Sequence, residues 1–353
     1  MPELEFYSVS YTGRRSNNED SCTTLSFNGN AYFLAVADGM GGAAGGEVAS
    51  RIVIETAKNY LNDNFTTRVY PEDLKEMLRR IFDLAQEAVA KEQKEKPELE
   101  GMGSTLTCAL IAGDKYVVGN LGDSRLYLLR HGSLGLMTED HTYIRQLQKE
   151  LGQKADPAKL QRFSHLLVRA INGGKDKPDI FPEEEMYFTL HEGEALLLCS
   201  DGLLTDKVST EYKTLEDYIV GTRSLKNAAE QLVAYAYDSG SADNITVVLA
   251  GYGHLERSDR NVLKRNYPPE SGHTSGGTEK TPLRIFLNIF LVLFILAASG
   301  IMIYRGYSAV KADPHPKALI MPEGRDAPAG KVAGGIKLKS SDTIKITNTK
   351  AAP

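Results

Sequence analysis

The stretch Ala31-Tyr32-Phe33-Leu34-Ala35-Val36-Ala37-Asp38-Gly39-Met40-Gly41-Gly42 constrains this chain more than any other. A continuous apolar run of strand length stops at a carboxylate, passes into glycines and leads to a helix-like segment from about Glu47 to Leu61. A buried strand ending in Asp38-Gly39 delivers a carboxylate and an uncovered backbone carbonyl to the edge of a sheet. Both are hard oxygen donors of the kind Mg²⁺ and Mn²⁺ prefer. Taken alone, Asp-Gly reads equally well as a turn. The device recurs, however. Leu196-Leu197-Leu198-Cys199-Ser200-Asp201-Gly202 repeats apolar run, Asp and Gly, and Asp243-Asn244 opens the run Ile245-Thr246-Val247-Val248-Leu249. Three carboxylates at strand ends, far apart in sequence, read better as one metal centre than as three turns.

With 353 residues, 42% hydrophobic and 25% charged, the chain has enough material for one large core. A net charge of -5 leaves no basic footprint for nucleic acid. The charge is uneven: nine Lys and Arg against four Asp and Glu make the segment after Tyr304 basic. Cys22, Cys108 and Cys199 fall in strand-like segments without paired spacing, which predicts buried thiols in a reducing compartment. The seven scattered histidines offer no Cys/His spacing for structural zinc.

The acidic start Met1-Pro2-Glu3-Leu4-Glu5 lacks the apolar core of a signal peptide. Leu283–Tyr304 is almost wholly apolar, with Arg284 at its start and Asn288 inside it. About 20 residues at roughly 1.5 Å each span a hydrocarbon core of about 30 Å, so 283–304 is predicted as a transmembrane helix. A buried core helix is the alternative; the all-round hydrophobicity and the position outside any domain pattern speak against it.

Taken in order, 5–11 and 21–27 read as strands around the polar loop Thr12-Gly13-Arg14-Arg15-Ser16-Asn17-Asn18-Glu19-Asp20. After the Ala31 strand and its helix, a second helix is predicted from Pro71 to about Lys94, with Leu74, Leu78, Ile81, Phe82, Ala85 and Val89 at helical spacing. Residues 104–112, 115–121, 124–130 and 134–138 read as a strand meander, 141–152 as a helix, and 153–180 as irregular. A strand at 194–200, helices near 214–221 and 224–238, and a strand at 244–251 complete a domain over 1–253. Strands first and last with helix pairs between them make an α+β layered pattern. Residues 254–282 read as a flexible linker and 305–353 as a disordered basic tail, too poor in aromatic residues to offset its ordering entropy.

The glycine turn invites a nucleotide reading, since Gly39-Met40-Gly41-Gly42-Ala43-Ala44 fits G-x-G-x-x-A after a strand. Asp38 opposes it by placing negative charge where a pyrophosphate would sit. No Gly-Lys-Ser/Thr phosphate loop and no G-x-S-x-G elbow is present. In the polar loop, Arg15 lies four residues before Glu19 and five before Asp20. That spacing suits a surface salt-bridge cluster, or a guanidinium that grips a phosphate dianion while the acids hold metal-bound waters. Gly122-Asp123-Ser124-Arg125 is a tight turn or the source of a fourth acid.

Arg15-x-x-x-Glu19-Asp20, Asp38-Gly39-Met40-Gly41-Gly42, Gly103-Ser104-Thr105, Gly122-Asp123-Ser124-Arg125, Asp140-His141, Ser200-Asp201-Gly202 and Asp243-Asn244 occur in this order over residues 1–252. Together they resemble the PPM/PP2C family of metal-dependent protein serine/threonine phosphatases in its compact bacterial form. The resemblance implies a four-layer α-β-β-α sandwich of two antiparallel sheets flanked by helices, here with one C-terminal transmembrane helix. It implies a binuclear Mn²⁺ or Mg²⁺ site in the cleft. Asp38 would bridge the ions, the Gly39 carbonyl would bind one, and Asp201 and Asp243 the other. Glu19 and Asp20 would act through bound waters, Asp123 would support a third metal, Asn244 would brace the ligands from behind, and Arg15 would hold substrate phosphate. Residues 141–180 would form the family's flap. Arg162-Phe163-Ser164-His165 and Asn172-Gly173-Gly174 depart from the family pattern there.

Two divalent ions roughly 3.5–4 Å apart activate water and neutralise phosphoryl charge, so no side-chain nucleophile is needed. The expected activity is hydrolysis of phosphoserine and phosphothreonine monoesters on protein substrates, against a Ser/Thr kinase, from a cytoplasmic domain anchored in the cell membrane. Two alternatives stay open: a sigma-factor-regulating phosphatase acting on one anti-sigma antagonist, and a catalytically inactive membrane scaffold.

Overall fold

The computed structural model describes residues 3–27, 30–41, 45–65, 69–151, 166–204, 212–222 and 224–255. All of them belong to the compact unit Met1–Glu279. Most of the predicted linker, the apolar run 283–304, the tail and the segment Arg162–His165 lie outside the described residues. Among the described residues no helix is long and apolar enough to cross a membrane.

The strands are β1 (Leu4–Tyr11), β2 (Asp20–Phe27), β3 (Ala31–Met40), β4 (Gly103–Ser104), β5 (Leu106–Ala112), β6 (Lys115–Leu121), β7 (Arg125–Arg130), β8 (Ser133–Leu136), β9 (Asp179–Phe181), β10 (Phe188–Thr189), β11 (Ala195–Cys199) and β12 (Ile245–Tyr252). The helices are α1 (Gly45–Asn64), α2 (Leu74–Glu95), α3 (Tyr143–Leu151), α4 (Tyr212–Gly221) and α5 (Leu225–Asp238). One antiparallel sheet has the order β1-β12-β11-β7-β8. The other runs β10-β6-β5-β3-β2, with β4 pairing β3 and β9 pairing β6.

The long apolar run of β3 is explained by burial on both faces. Successive strand side chains point to opposite sides. Phe33, Ala35 and Ala37 enter the core shared with α1 and α2, while Tyr32, Leu34 and Val36 enter a second core with Leu196, Leu198, Val248 and Ala250 of the other sheet. On that sheet's far side, Leu197, Val247 and Leu249 pack with Leu215, Ile219, Leu232 and Val233 of α4 and α5. The three cores make the α-β-β-α order of layers. By the same alternation, Asp38 follows Leu34 and Val36 towards the space between the sheets.

Several predicted elements move. Asp38-Gly39 is not a turn: β3 continues through Met40 because Gly39 pairs Ser104 and Met40 pairs Gly103. The helix predicted from Pro71 starts as a 3-10 turn, Pro71–Asp73, before α2 begins at Leu74. Its predicted apolar stripe is buried throughout. The predicted meander is divided: β5 and β6 pair in one sheet, β7 and β8 in the other, and the chain crosses between them at Gly122. That crossing brings the Gly122–Asp123 turn to the end of the cleft.

Candidate metal centre

The site begins with a register. Asp20 is the direct cross-strand partner of Asp38 in the β2–β3 pair, so two carboxylates meet at one end of the sheet. Close backbone approach completes this corner. A Cβ on Gly39 would lie 2.0 Å from the Gly46 carbonyl oxygen and 2.7 Å from that of Glu19, so only glycine fits. A Cβ on Gly46 would lie 2.9 Å from Glu19 Oε2, which puts that carboxylate beside the first turn of α1, where the helix dipole favours negative charge. The Gly39 N–H donates to the Glu19 carbonyl at 3.1 Å.

The second sheet supplies the facing acids. Asp201 opens a 3-10 turn directly after β11. Ser200 Oγ donates to Asp20 Oδ2 at 2.7 Å, joining the two sheets across the cleft. Asn244 is a bracket: its Oδ1 accepts from the Glu19 N–H at 2.8 Å, and its Nδ2 donates to the carbonyls of Thr12 at 2.8 Å and Asn17 at 2.9 Å. The polar loop is thereby held against Asp243. Arg15 Nη2 donates to Asp243 Oδ2 at 2.7 Å, and Arg15 Nε to the Ala242 carbonyl at 3.2 Å.

The Gly122–Asp123 turn brings the remaining predicted acid. His141 Nδ1 accepts from the Gly122 N–H at 3.0 Å and the His141 N–H donates to the Gly122 carbonyl at 3.0 Å. Nδ1 is thus an acceptor, which puts the imidazole proton on Nε2, 2.9 Å from Asp179 Oδ2. Burial holds His141 below its ordinary pKa and therefore neutral. Burial pushes the Asp179 carboxyl up, but hydrogen bonds from Arg169 and His141 outweigh this and hold it below the usual range. Arg125, beside the turn, is held by Asp140 through two bonds of 2.8 and 2.6 Å.

Electrostatics bind these acids into one group. Burial pushes the Asp38 carboxyl well above its ordinary value, and the charges of Asp20, Asp201, Asp123 and Asp243 add to the shift. Asp20 is raised to about 7 by burial, against hydrogen bonds from Thr246 and Ser200 and reinforced by Asp201 and Asp243. Asp123 is raised to about 8 by burial, then by Asp201 and Asp140. An oxygen-only donor set whose members repel one another is suited to a hard divalent cation. Among the described residues no three Asp, Glu, His or Cys side chains form a closed ligand set. Mg²⁺ and its analogues keep several waters and need only one or two carboxylates each, so an open arrangement fits them.

These shifts give a pH dependence in metal-free buffer. A carboxyl near 4 when unfolded but near 7 or 8 when folded makes the native state bind more protons between those limits. Stability then falls as pH rises through that window. The melting temperature in a chelator is expected to rise as pH is lowered from about 8 to about 5, and saturating Mn²⁺ is expected to abolish or invert that slope. A flat chelator profile would remove the mutual repulsion from the account.

The structure thus gathers Glu19, Asp20, Asp38, Gly39, Asp201, Asp243 and Asn244 at one end of the cleft, with Asp123 in electrostatic reach and Arg15 at the edge. Sequence reading assigned no role to Ser200, Thr105 or His141, although all three stand inside motifs it singled out; their contacts depend on which strands become neighbours.

Proteins of known function and solved structure are similar to this chain. Serine/threonine protein phosphatase PstP of Mycobacterium tuberculosis is 38% identical over 236 residues, covering 67% of this chain and 42% of the relative, so the chain spans less than half of that protein. Serine/threonine phosphatase stp of Listeria welshimeri is 32% identical over 252 residues, covering 71% of this chain and 93% of the relative. A crystal structure of the PstP catalytic domain in complex with two manganese ions superposes with a TM-score of 0.59 at 33% identity, covering 72% of this chain and all of that one. Residues 10–235 match the family model for protein phosphatase 2C, and on this match, the shared two-sheet fold and the acids gathered at its cleft, the chain belongs to the protein phosphatase 2C family.

Proposed function

We propose that this chain hydrolyses phosphoserine and phosphothreonine monoesters of proteins at the cleft between the two sheets, in opposition to a Ser/Thr kinase. The observation that carries the reading is the Asp20–Asp38 cross-strand pair, faced by Asp201 and Asp243. Asp38 and the Gly39 carbonyl would hold one Mn²⁺ or Mg²⁺, Asp38, Asp201 and Asp243 the other, and Asp123 a third. When bound, the ions supply charge neutralisation for the phosphoryl oxygens and an activated water. Glu19 and Asp20 orient water at the cleft, and Arg15 presents its guanidinium fork to the substrate phosphate. The thiols supply no nucleophile: burial pushes Cys22 and Cys199 up to about 12 and Cys108 higher, leaving them protonated at neutral pH. The proposed mechanism is attack by water in line with the leaving serine or threonine oxygen.

The test is Mn²⁺-dependent turnover of p-nitrophenyl phosphate and a phosphothreonine peptide. Leu255 is buried in the core with residues of α5, so the full chain is assayed. Turnover restored by Mn²⁺ after chelation is expected. A folded protein that binds Mn²⁺ without turnover would point instead to a scaffold.

We further propose that Leu283–Tyr304 spans the membrane once, joined by the 254–282 linker to a cytoplasmic phosphatase domain, with 305–353 on the far side. The support is the apolar length of 283–304 and the free thiols of the domain. Lys264, Arg265, Lys280 and Arg284 on one side nearly balance Arg305, Lys311 and Lys317 on the other, so charge bias decides little. With reporters before Met1 and after Pro353, protease on intact cells is expected to cleave only the second. Cleavage of the first alone would reverse the topology, and protection of both would remove the single span.

A further inference from the structure

The motif Gly103-Ser104-Thr105 carries no acid, yet both of its hydroxyl side chains are buried. We propose that Thr105 is a positioning residue that locks the Asp38 backbone and the Gly122–Asp123 turn into one rigid unit through its hydroxyl. The inference rests on the metal reading of the carboxylate cleft and names what holds two of its acids in place.

The geometry is a local substitution of side chain for backbone. The β3–β5 pair is in register up to Val36 and Thr107, and the same register two residues on sets Asp38 opposite Thr105. Half of the ladder continues, since the Thr105 N–H donates to the Asp38 carbonyl at 2.8 Å. The other half is altered: the Asp38 N–H donates to Thr105 Oγ1 at 2.9 Å. The Thr105 carbonyl is turned to Ser104 Oγ, which donates to it at 2.8 Å and to the Asp38 carbonyl at 3.1 Å. Asp38 thus depends on a hydroxyl where a strand residue ordinarily finds a carbonyl.

The same hydroxyl reaches the turn that carries the other acid. Thr105 Oγ1 lies 2.8 Å from Ser124 Oγ, one residue after Asp123. The Thr105 methyl abuts Gly122, whose φ is +118°, and a Cβ there would fall 2.5 Å from Thr105 Cγ2. Thr105 and Ser124 are both buried, out of contact with bulk solvent. One side chain therefore touches the strand that carries Asp38 and the turn that carries Asp123, two acids 85 residues apart in the sequence. Groups that orient metal ligands from behind alter metal affinity without touching the ion.

Thr105→Val keeps the shape and removes the hydroxyl; Thr105→Ser keeps the hydroxyl and removes the methyl. Isothermal titration of the metal-free full chain with Mn²⁺ is the readout, at a temperature where circular dichroism shows each variant folded. Thr105→Val is expected to bind Mn²⁺ about 10- to 100-fold more weakly, and Thr105→Ser to stay within about threefold of wild type. At saturating Mn²⁺ the KM for a phosphothreonine peptide is expected to be unchanged in both. Wild-type Mn²⁺ affinity in Thr105→Val would overturn the inference. So would a tenfold or greater loss in Thr105→Ser, a measurement that decides the matter even if the valine variant does not fold. If wild type itself took up no Mn²⁺, the metal reading would fall; an unaltered valine variant beside a binding wild type removes only the role of Thr105.

Discussion

Asp38→Asn is expected to lower Mn²⁺-dependent phosphatase turnover by at least about 1,000-fold while leaving the domain folded, because in the proposed centre this carboxylate would be shared by two ions and would contribute several kcal/mol of charge stabilisation. The fold survives because Asn is nearly isosteric and the contacts that seat residue 38 are backbone ones: its N–H to Thr105 Oγ1 and its carbonyl to the Thr105 N–H and Ser104 Oγ. Its side chain has the opposite character. Burial and the surrounding charges of Asp20, Asp201, Asp123 and Asp243 all disfavour its ionised form. Removing that charge relieves repulsion, so the variant is expected to melt higher than wild type in chelator at pH 8 and to gain less from Mn²⁺. Turnover and paired melting curves with and without Mn²⁺ check both halves. Near-wild-type turnover in a folded Asp38→Asn protein would end the assignment of the centre.

Arg15→Ala is expected to lower kcat/KM toward a phosphothreonine peptide roughly 10- to 150-fold, the equivalent of losing a charged hydrogen bond of about 1.5–3 kcal/mol. The structure refines why the residue is free to act. Arg15 is paired with Asp243 at 2.7 Å, but the two side chains are 51% and 37% exposed. An ion pair so open to water is worth about 0–1 kcal/mol, so a phosphate dianion can draw the guanidinium away with little loss. Mn²⁺ affinity in Arg15→Ala is expected to hold or tighten slightly, because Asp243 is released from a competing cation. Unchanged kcat/KM would reduce Arg15 to a surface charge, and a Mn²⁺ affinity that collapses with it would make the residue a support of Asp243 instead. Lysine is not an equivalent replacement, since it lacks the planar fork that meets two phosphate oxygens at once.

Much of this protein was legible without coordinates, and the reason is local. An apolar run without alternation identifies a strand buried on both faces, and β3, β11 and β12 are such strands. An acid where such a run stops must lie at a sheet end, so Asp38, Asp201 and Asp243 could be singled out from sequence alone. The helical spacing of Leu74, Leu78, Ile81, Phe82, Ala85 and Val89 was equally plain, and all are buried against the sheet. The short edge strands β9 and β10 were not legible, because two or three residues carry no period.

Tertiary structure alone decided how these pieces meet. The register that sets Asp20 opposite Asp38 is a choice between pairings one residue apart, and a slip of one would turn every side chain of β2 to the other face. The crossing at Gly122 that divides the predicted meander between two sheets, the Ser200 bond to Asp20 across 180 residues and the Arg15 bond to Asp243 across 228 are likewise long-range. Local periodicity reports which face of an element is buried and not which element buries it. The acids could therefore be named from the chain, whereas their mutual repulsion, the hydroxyl of Thr105 that bonds both the Asp38 backbone and Ser124, and the pairing of Arg15 follow only from tertiary packing.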